Sequence, residues 1–324
     1  MVKKSYRVGI DIGGTKILAG IVNSKNKVVA SQKARTVTEE GERYFLNTVT
    51  ELVKRACEDA SISLAEIEAI GIGCPGVIRA QDDTVVLAPN MPFLNNYPLG
   101  KRLAKEFGGV PVMVENDVNM GLYGEYCFGA AAGYKYVTGF FLGTGIGGAL
   151  ILDGKIYRGA NGAAGEFGHI FLDPLGPECG CGNRGCLEAM VGRLAVSAEA
   201  AVTASRGHSK NLVEKTGTDI RDIKSGAMAK AIAAGDKPVR DLIRFKSELL
   251  GIAMANVVNI LDPELIILGG GMVEAMGALI VPQAEKSMRE HALPALGAKV
   301  RVAQAKLGDM AAVLGAAKMS ADRR

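Results

Sequence analysis

Between residues 169 and 186 the chain reads His169-x9-Cys179-x-Cys181-x4-Cys186. One imidazole and three thiols at this spacing form the closed nitrogen-and-sulfur set that holds a tetrahedral zinc ion, with no position left for a reacting water. The chemistry implied is bracing rather than catalysis. Gly180, Gly182 and Gly185 supply the turns a short loop needs to close around one ion. Glu166 and Glu188 flank the ligands. A metal-fixed loop would hold both carboxylates where they accept hydrogen bonds from substrate hydroxyls; solvated surface glutamate is the competing reading.

Three other segments carry residues suited to phosphate chemistry. Asp11-Ile12-Gly13-Gly14-Thr15-Lys16 is not a GxxxxGK[ST] loop, and a strand rather than a helix follows it. Two glycines still let backbone N–H groups approach an anion, Thr15 adds a hydroxyl, and Asp11 could hold a hydrated Mg²⁺ beside phosphates. A hairpin turn without a ligand is the alternative. Gly143-Thr144-Gly145-Ile146-Gly147-Gly148 fits GxGxxG literally. A dinucleotide fingerprint must open a helix, whereas ALILDGKI reads as a strand, so a second phosphate-gripping hairpin fits better. The third is Glu115-Asn116-Asp117, after the strand PVMVE. Asp117 there reads either as a helix cap or as a general base taking a proton from a substrate hydroxyl.

The elements that must position these residues follow from periodicity. Tyr6 to Ile12 and Lys16 to Val22 form a hairpin; residues 38–60 are helical, with Thr38 as the expected cap. Glu68 to Gly73 and Val110 to Val114 are buried strands, and Pro98 opens a helix. A second cycle repeats the scheme: strand Tyr136 to Leu142, glycine turn Gly143 to Gly148, strand Ala149 to Ile156. Strand, Gly-Thr turn, strand at the start of both halves predicts a duplicated α/β architecture. Residues 186–262 read as mostly helical, Leu265 to Leu268 and Lys299 to Ala303 as strands, and Asp309 to Lys318 as a helix packing back on the first lobe. The expected division is residues 1–118 with the helix 309–324, and residues 119–308.

The 324 residues exceed one small core, and 48% hydrophobic with 22% charged residues is an ordinary globular balance. A net charge of +4 without a basic block argues against a nucleic-acid partner. The apolar stretch Leu249 to Leu261 is too short to span a membrane, and no signal-peptide pattern precedes Tyr6, so a cytoplasmic protein is expected. In that setting clustered cysteines favour metal over disulfides, while Cys57, Cys74 and Cys127 read as small core residues.

Taken together, GEFGHIFLDPLGPECGCGNRGCLE, DIGGTK and VENDVNM resemble the ROK family (repressors, open reading frames, kinases) over nearly the whole chain. The resemblance implies a two-lobed actin/hexokinase/Hsp70-type ATPase fold (a duplicated ribonuclease H-like unit) with a cleft between the lobes. It implies transfer of the ATP γ-phosphate to a sugar hydroxyl, most often glucose to glucose 6-phosphate in glycolysis. Asp117 would be the base, with Asn90, Asn116, Glu166, His169 and Glu188 on the sugar. His169 would also ligate zinc with Cys179, Cys181 and Cys186. Gly13, Gly14, Thr15, Lys16, Gly143, Thr144 and Gly145 would bind the nucleotide phosphates, Asp11 would lie near Mg²⁺, and Gly269, Gly270 and Gly271 would approach adenosine. A homodimer is the family habit.

Two departures bear on the sugar. MPFLNNYPL lacks the tryptophan frequent in glucokinases of the family, and AMVGR replaces the commoner Tyr-Ala-Ser-type continuation after Glu188. N-acetylmannosamine, N-acetylglucosamine, fructose and allose therefore stay open as acceptors. A sugar-sensing repressor and a chaperone-type ATPase rank lower, because neither a helix-turn-helix ahead of Asp11 nor a peptide-binding domain is expected.

Overall fold

A computed structural model describes residues 5–220 and 222–323. The chain divides into two compact units. The first holds the residues up to Gly133, the segment Ile156–Ala164 and the residues from Asp309 onward; the second holds Tyr134–Lys155 and Gly165–Gly308.

The first unit opens with β1 (Tyr6–Ile12), β2 (Lys16–Asn23) and β3 (Val28–Arg35), followed by α1 (Gly41–Asp59). Then come β4 (Ile67–Cys74), the small pair β5 (Val77–Arg79) and β6 (Thr84–Leu87), α2 (Leu99–Glu106), β7 (Val112–Asn116) and α3 (Asp117–Phe128). The main sheet runs β3-β2-β1-β4-β7. β1 to β3 pair antiparallel, and β4 and β7 run parallel to β1. Ile10, Ile12, Ile70 and Ile72 are fully buried, as befits central strands covered on both faces. β3, not expected from the sequence, alternates half-buried and exposed residues along the sheet edge. On α1, Phe45, Val49, Leu52, Val53 and Ala56 fall on one face and cover the sheet.

The second unit contains β8 (Val137–Leu142), β9 (Ile146–Leu152) and, running on into Ile156, β10 (Lys155–Ile156). Next are α4 (Leu187–Val191), α5 (Arg193–Ser205), α6 (Lys210–Thr216), α7 (Ser225–Ala233) and α8 (Lys237–Leu261). β11 (Leu265–Gly269), α9 (Gly271–His291), α10 (Pro294–Gly297) and β12 (Arg301–Gln304) complete it. Its sheet order is β10-β9-β8-β11-β12, with β8 and β9 antiparallel and β11 and β12 parallel to β8. That is the order of the first sheet, and β8, β9, β11 and β12 repeat the senses of β1, β2, β4 and β7, so the duplication expected from the two Gly-Thr hairpins is present at the level of topology.

The last helix, α11 (Met310–Asp322), belongs to the first unit and packs on α3, β1 and β4. Its approach requires the absence of side chains beneath it: a Cβ on Gly9 would lie 1.8 Å from the Val313 carbonyl oxygen, and one on Gly71 2.0 Å from that of Ala316. Because α3 is held by α11, the first unit extends to Gly133 and does not end near residue 118.

Two other local expectations need correction. α1 begins at Gly41 and not after Thr38. Thr36 is drawn back onto the first glycine turn, its N–H donating to the Thr15 carbonyl, which keeps the following residues out of the helix. The second glycine turn spans only Gly143 to Gly145, since Gly147 and Gly148 already pair with Phe141 and Phe140 in the sheet.

Candidate active site and metal centre

The turn between β1 and β2 is closed by Gly13 N–H donating to the Lys16 carbonyl at 2.9 Å. Thr36 braces it from behind, its hydroxyl donating to the Gly13 carbonyl at 2.7 Å. These bonds use the turn's carbonyls. The N–H groups of Gly14 and Thr15 donate to no described residue, so two successive backbone donors remain for an anion. The Lys16 ammonium makes a 2.6 Å ion pair with Asp309, a residue the sequence reading did not single out. Asp11, at the end of β1, is partly buried. Burial pushes its carboxyl up to about 7, the charge of Asp117 adds to that, Lys16 opposes it and Asp309 raises it further. A carboxylate so placed gains from a divalent cation, which relieves the repulsion.

Asp117 is the first residue of α3, directly after β7. The cap of that helix is Asn116: its Oδ1 accepts from the N–H groups of Val118 and Asn119 at 2.9 and 3.1 Å. Its Nδ2 donates to the Gly76 carbonyl at 3.1 Å. Capping, the competing role for Asp117, is thus performed by its neighbour, although Asp117 Oδ1 also accepts from Val118 N–H at 3.0 Å. Asn116, expected on the sugar, has its oxygen occupied by the helix. Asn90 lies exposed in the turn after β6.

In the second unit the turn between β8 and β9 is gripped by the α4–α5 junction. The N–H groups of Arg193 and Leu194 donate to the carbonyls of Gly143 and Thr144 at 3.2 and 3.3 Å, and Arg193 Nη2 reaches Thr144 Oγ1 at 3.1 Å. Gly143 N–H closes the turn on the Gly145 carbonyl. Glu188 Oε2 accepts from Ile146 N–H at 2.8 Å and packs so tightly that a Cβ on Gly145 would lie 1.9 Å from it. Thr144 and Gly145 N–H donate to no described residue, the same pair of unused donors as at Gly14 and Thr15. Glu188, expected on the sugar, holds the turn between β8 and β9. Gly269 ends β11, Gly270 precedes α9 with φ of 86°, and Gly271 is its first residue.

His169 closes a single 3₁₀ turn, Phe167–His169, which Glu166 precedes. Phe167 stacks on Phe140 of β8 with ring centres 4.6 Å apart, which seats the turn on the sheet. The loop beyond doubles back on itself: Leu187 N–H donates to the Ile170 carbonyl, Leu172 N–H to Gly185, and Cys179 N–H to Asn183. Gly185 has φ of 76°, and a Cβ there would lie 1.8 Å from the Asp173 carbonyl oxygen. This folding brings the ligand atoms of His169, Cys179, Cys181 and Cys186 within 4.8 Å of one another. Sulfur to sulfur, Cys181 and Cys186 are 3.8 Å apart; His169 Nδ1 lies 3.7 Å from Cys179 Sγ. A zinc tetrahedron with its usual bond lengths has S–S and S–N edges of about 3.8 and 3.6 Å, so the residues fit the ion. Glu166 and His169 are exposed beside this cluster, and Glu188 is half-buried.

The sequence reading gave no role in the site to Thr36, Glu115, Arg158, Arg193 or Asp309. Arg193 stood in the segment AMVGR, but its reach to Thr144 depends on how α5 docks.

The ROK family model matches residues 7–323. The glucokinase of Thermotoga maritima is 32% identical over 98% of this chain and 97% of its own length. The xylose repressor of Caldicellulosiruptor bescii is 30% identical over 96% of this chain and 77% of its own. Among solved structures, a ROK family glucokinase from Streptomyces griseus in complex with glucose and AMPPNP superposes with a TM-score of 0.85 at 31% identity, covering 98% and 99% of the two chains. That likeness gives the two repeated sheets their place in the actin-like ATPase fold. Matched in sequence from residue 7 to 323 and in fold throughout, the chain belongs to the ROK family.

Proposed function

We propose that this protein is an ATP-dependent hexose kinase that phosphorylates glucose, most readily at the 6-hydroxyl. The observation that carries the reading is the pair of glycine turns, each with two successive N–H groups unused by the described residues, in a chain that also sets Asp117 directly after a parallel strand. The similarity to glucokinases, one of them bound to glucose and AMPPNP, supports both ligands.

In the proposed reaction Gly14 and Thr15 N–H, and Thr144 and Gly145 N–H, hold the nucleotide's phosphate oxygens. Asp117 takes the proton from the sugar hydroxyl as its oxygen bonds to the γ-phosphorus, and the bond from that phosphorus to the β,γ-bridging oxygen breaks to release ADP. Mg²⁺, when bound near Asp11, supplies charge neutralisation to the phosphates. Zinc supplies no reacting group; held by His169 and the three cysteines, it would keep Glu166 and Glu188 in place. If Nδ1 of His169 ligates the ion, Nε2 remains for a sugar hydroxyl.

The test is ADP release from zinc-replete protein with Mg²⁺ and ATP over glucose, mannose, fructose, allose, N-acetylglucosamine and N-acetylmannosamine. Glucose is expected to give the highest kcat/KM. Highest activity on another of these sugars would move the acceptor, and no sugar-dependent ADP from any of them would end the kinase reading. A second reading, a sugar-sensing regulator without turnover, draws on the xylose repressor similarity; sugar binding without ADP release is its signature.

A further inference from the structure

Glu115, the residue before the Asn116–Asp117 pair, is a carboxylate only 2% exposed. Its Oε1 accepts from the N–H of Asn116 and from Asn119 Nδ2, each at 3.0 Å. One bond fixes the end of β7 and the other the first turn of α3, the two pieces of chain that meet at Asp117. Its Oε2 accepts from Arg158 Nε at 2.5 Å. Arg158 arrives from a part of the sequence 43 residues away, on the segment Ile156–Ala164 that returns to the first unit. Its Nη2 rests 3.6 Å from Met319 Sδ on α11, so the guanidinium is held on two sides. Among the described residues it is the ion-pair partner of Glu115.

A buried carboxylate without a cation either takes up a proton or turns toward water. Each response weakens its grip on Asn116 or Asn119, and the first turn of α3 then loses one of its two anchors. The other anchor, the Asn116 cap, depends on the same N–H being held.

We propose that Arg158, acting through Glu115, is a positioning residue that sets the direction of the Asp117 carboxylate. The inference rests on the reading of Asp117 as the general base. Arg158 touches neither sugar nor nucleotide in this account; its effect falls on turnover, because placement of a base by a fraction of an ångström matters in the transition state and little in ground-state binding.

The experiment compares Arg158→Met, Arg158→Lys, Glu115→Gln and the double variant Glu115→Gln/Arg158→Met with wild type, as full-length zinc-loaded protein. Steady-state kinetics give kcat and KM for the best sugar and for ATP, and calorimetry gives sugar affinity. Arg158→Met and Glu115→Gln are expected to lower kcat about 10- to 100-fold while both KM values and the sugar Kd stay within about twofold. Arg158→Lys, which returns a cation to Glu115, is expected to recover most of the loss. The double variant buries no uncompensated charge, so it guards against simple unfolding of a single variant. It is expected to lose no more turnover than the worse single, since the pair acts as a unit. Wild-type kcat in Arg158→Met, a kcat loss matched by loss of sugar binding, or no recovery with lysine would each overturn the proposal. Asp117→Asn, run alongside, separates the two claims. Turnover kept there removes the base reading and this inference with it; turnover lost there but kept in Arg158→Met overturns this inference alone.

Discussion

Asp11 shows how a single residue would register the cation proposed beside it. With its carboxyl raised from 3.8 to about 7 by burial and by Asp117, the folded protein without a bound cation holds a proton there that the unfolded chain releases. A raised carboxyl pKa contributes stability that is full below about 4 and is lost as pH climbs through about 7. Unfolding free energy of Mg²⁺-free protein is therefore expected to fall across that window, and Asp11→Asn should flatten the fall. A slope unchanged by the substitution would mean that burial and Asp117 do not raise the Asp11 carboxyl in solution. Many residues of this kind were legible in the sequence, because glycine pairs and metal-ligand spacings are local patterns. Thr36, Glu115 with Arg158, and the Lys16–Asp309 pair were not: each joins positions separated by tens to hundreds of residues, and no spacing rule connects them.

At the scale of elements, two devices carry the site. One is the loop of His169 and the three cysteines, in which Phe171 pairs with Cys186 and which continues into α4 and Glu188. Cys181 is the exposed cysteine of its set. Cys181→Ser is expected to lower zinc content from about one ion per chain and to raise KM for the sugar several-fold. Zinc lost with an unchanged KM would remove the loop from sugar binding, and full zinc content would remove Cys181 from the ligand set. The other device is α11, laid on bare backbone. Gly71→Ala would push a methyl into the Ala316 carbonyl, a cost of about 1–3 kcal/mol. Chemical denaturation should show a lower midpoint at unchanged slope; wild-type stability would mean α11 shifts freely. The sequence indicated that a last helix packs back on the first lobe, but the glycine floor beneath it appears only once β1 and β4 are side by side. The same holds for α3: a helix start beside Asp117 was readable, but that the cap is Asn116 was not, nor was the attachment to α11 that carries the unit boundary past residue 118 to Gly133.

For the whole molecule, the repeated sheet order explains why the chemistry is distributed as it is. Each unit contributes a hairpin turn with two unused N–H donors at the same place in the same topology. The first adds Asp11 near the end of β1 and Asp117 at the start of α3, and the second adds the loop of His169 and the three cysteines. The repeat was readable from the two Gly-Thr turns alone, since a turn that must present backbone donors has few sequences open to it. The choice of sugar was not, because this chain departs from family habit in MPFLNNYPL and AMVGR, the two segments that the resemblance places on the sugar side.

The account stands on Asp117 as the group that takes the proton. The most direct measurement is turnover and sugar affinity of Asp117→Asn in zinc-loaded protein with ATP and Mg²⁺. Asparagine keeps the shape and hydrogen-bonding reach of the side chain but cannot serve as the base. Sugar-dependent ADP formation is expected to fall about 100- to 10,000-fold with the sugar Kd unchanged. Turnover within a few-fold of wild type would contradict it.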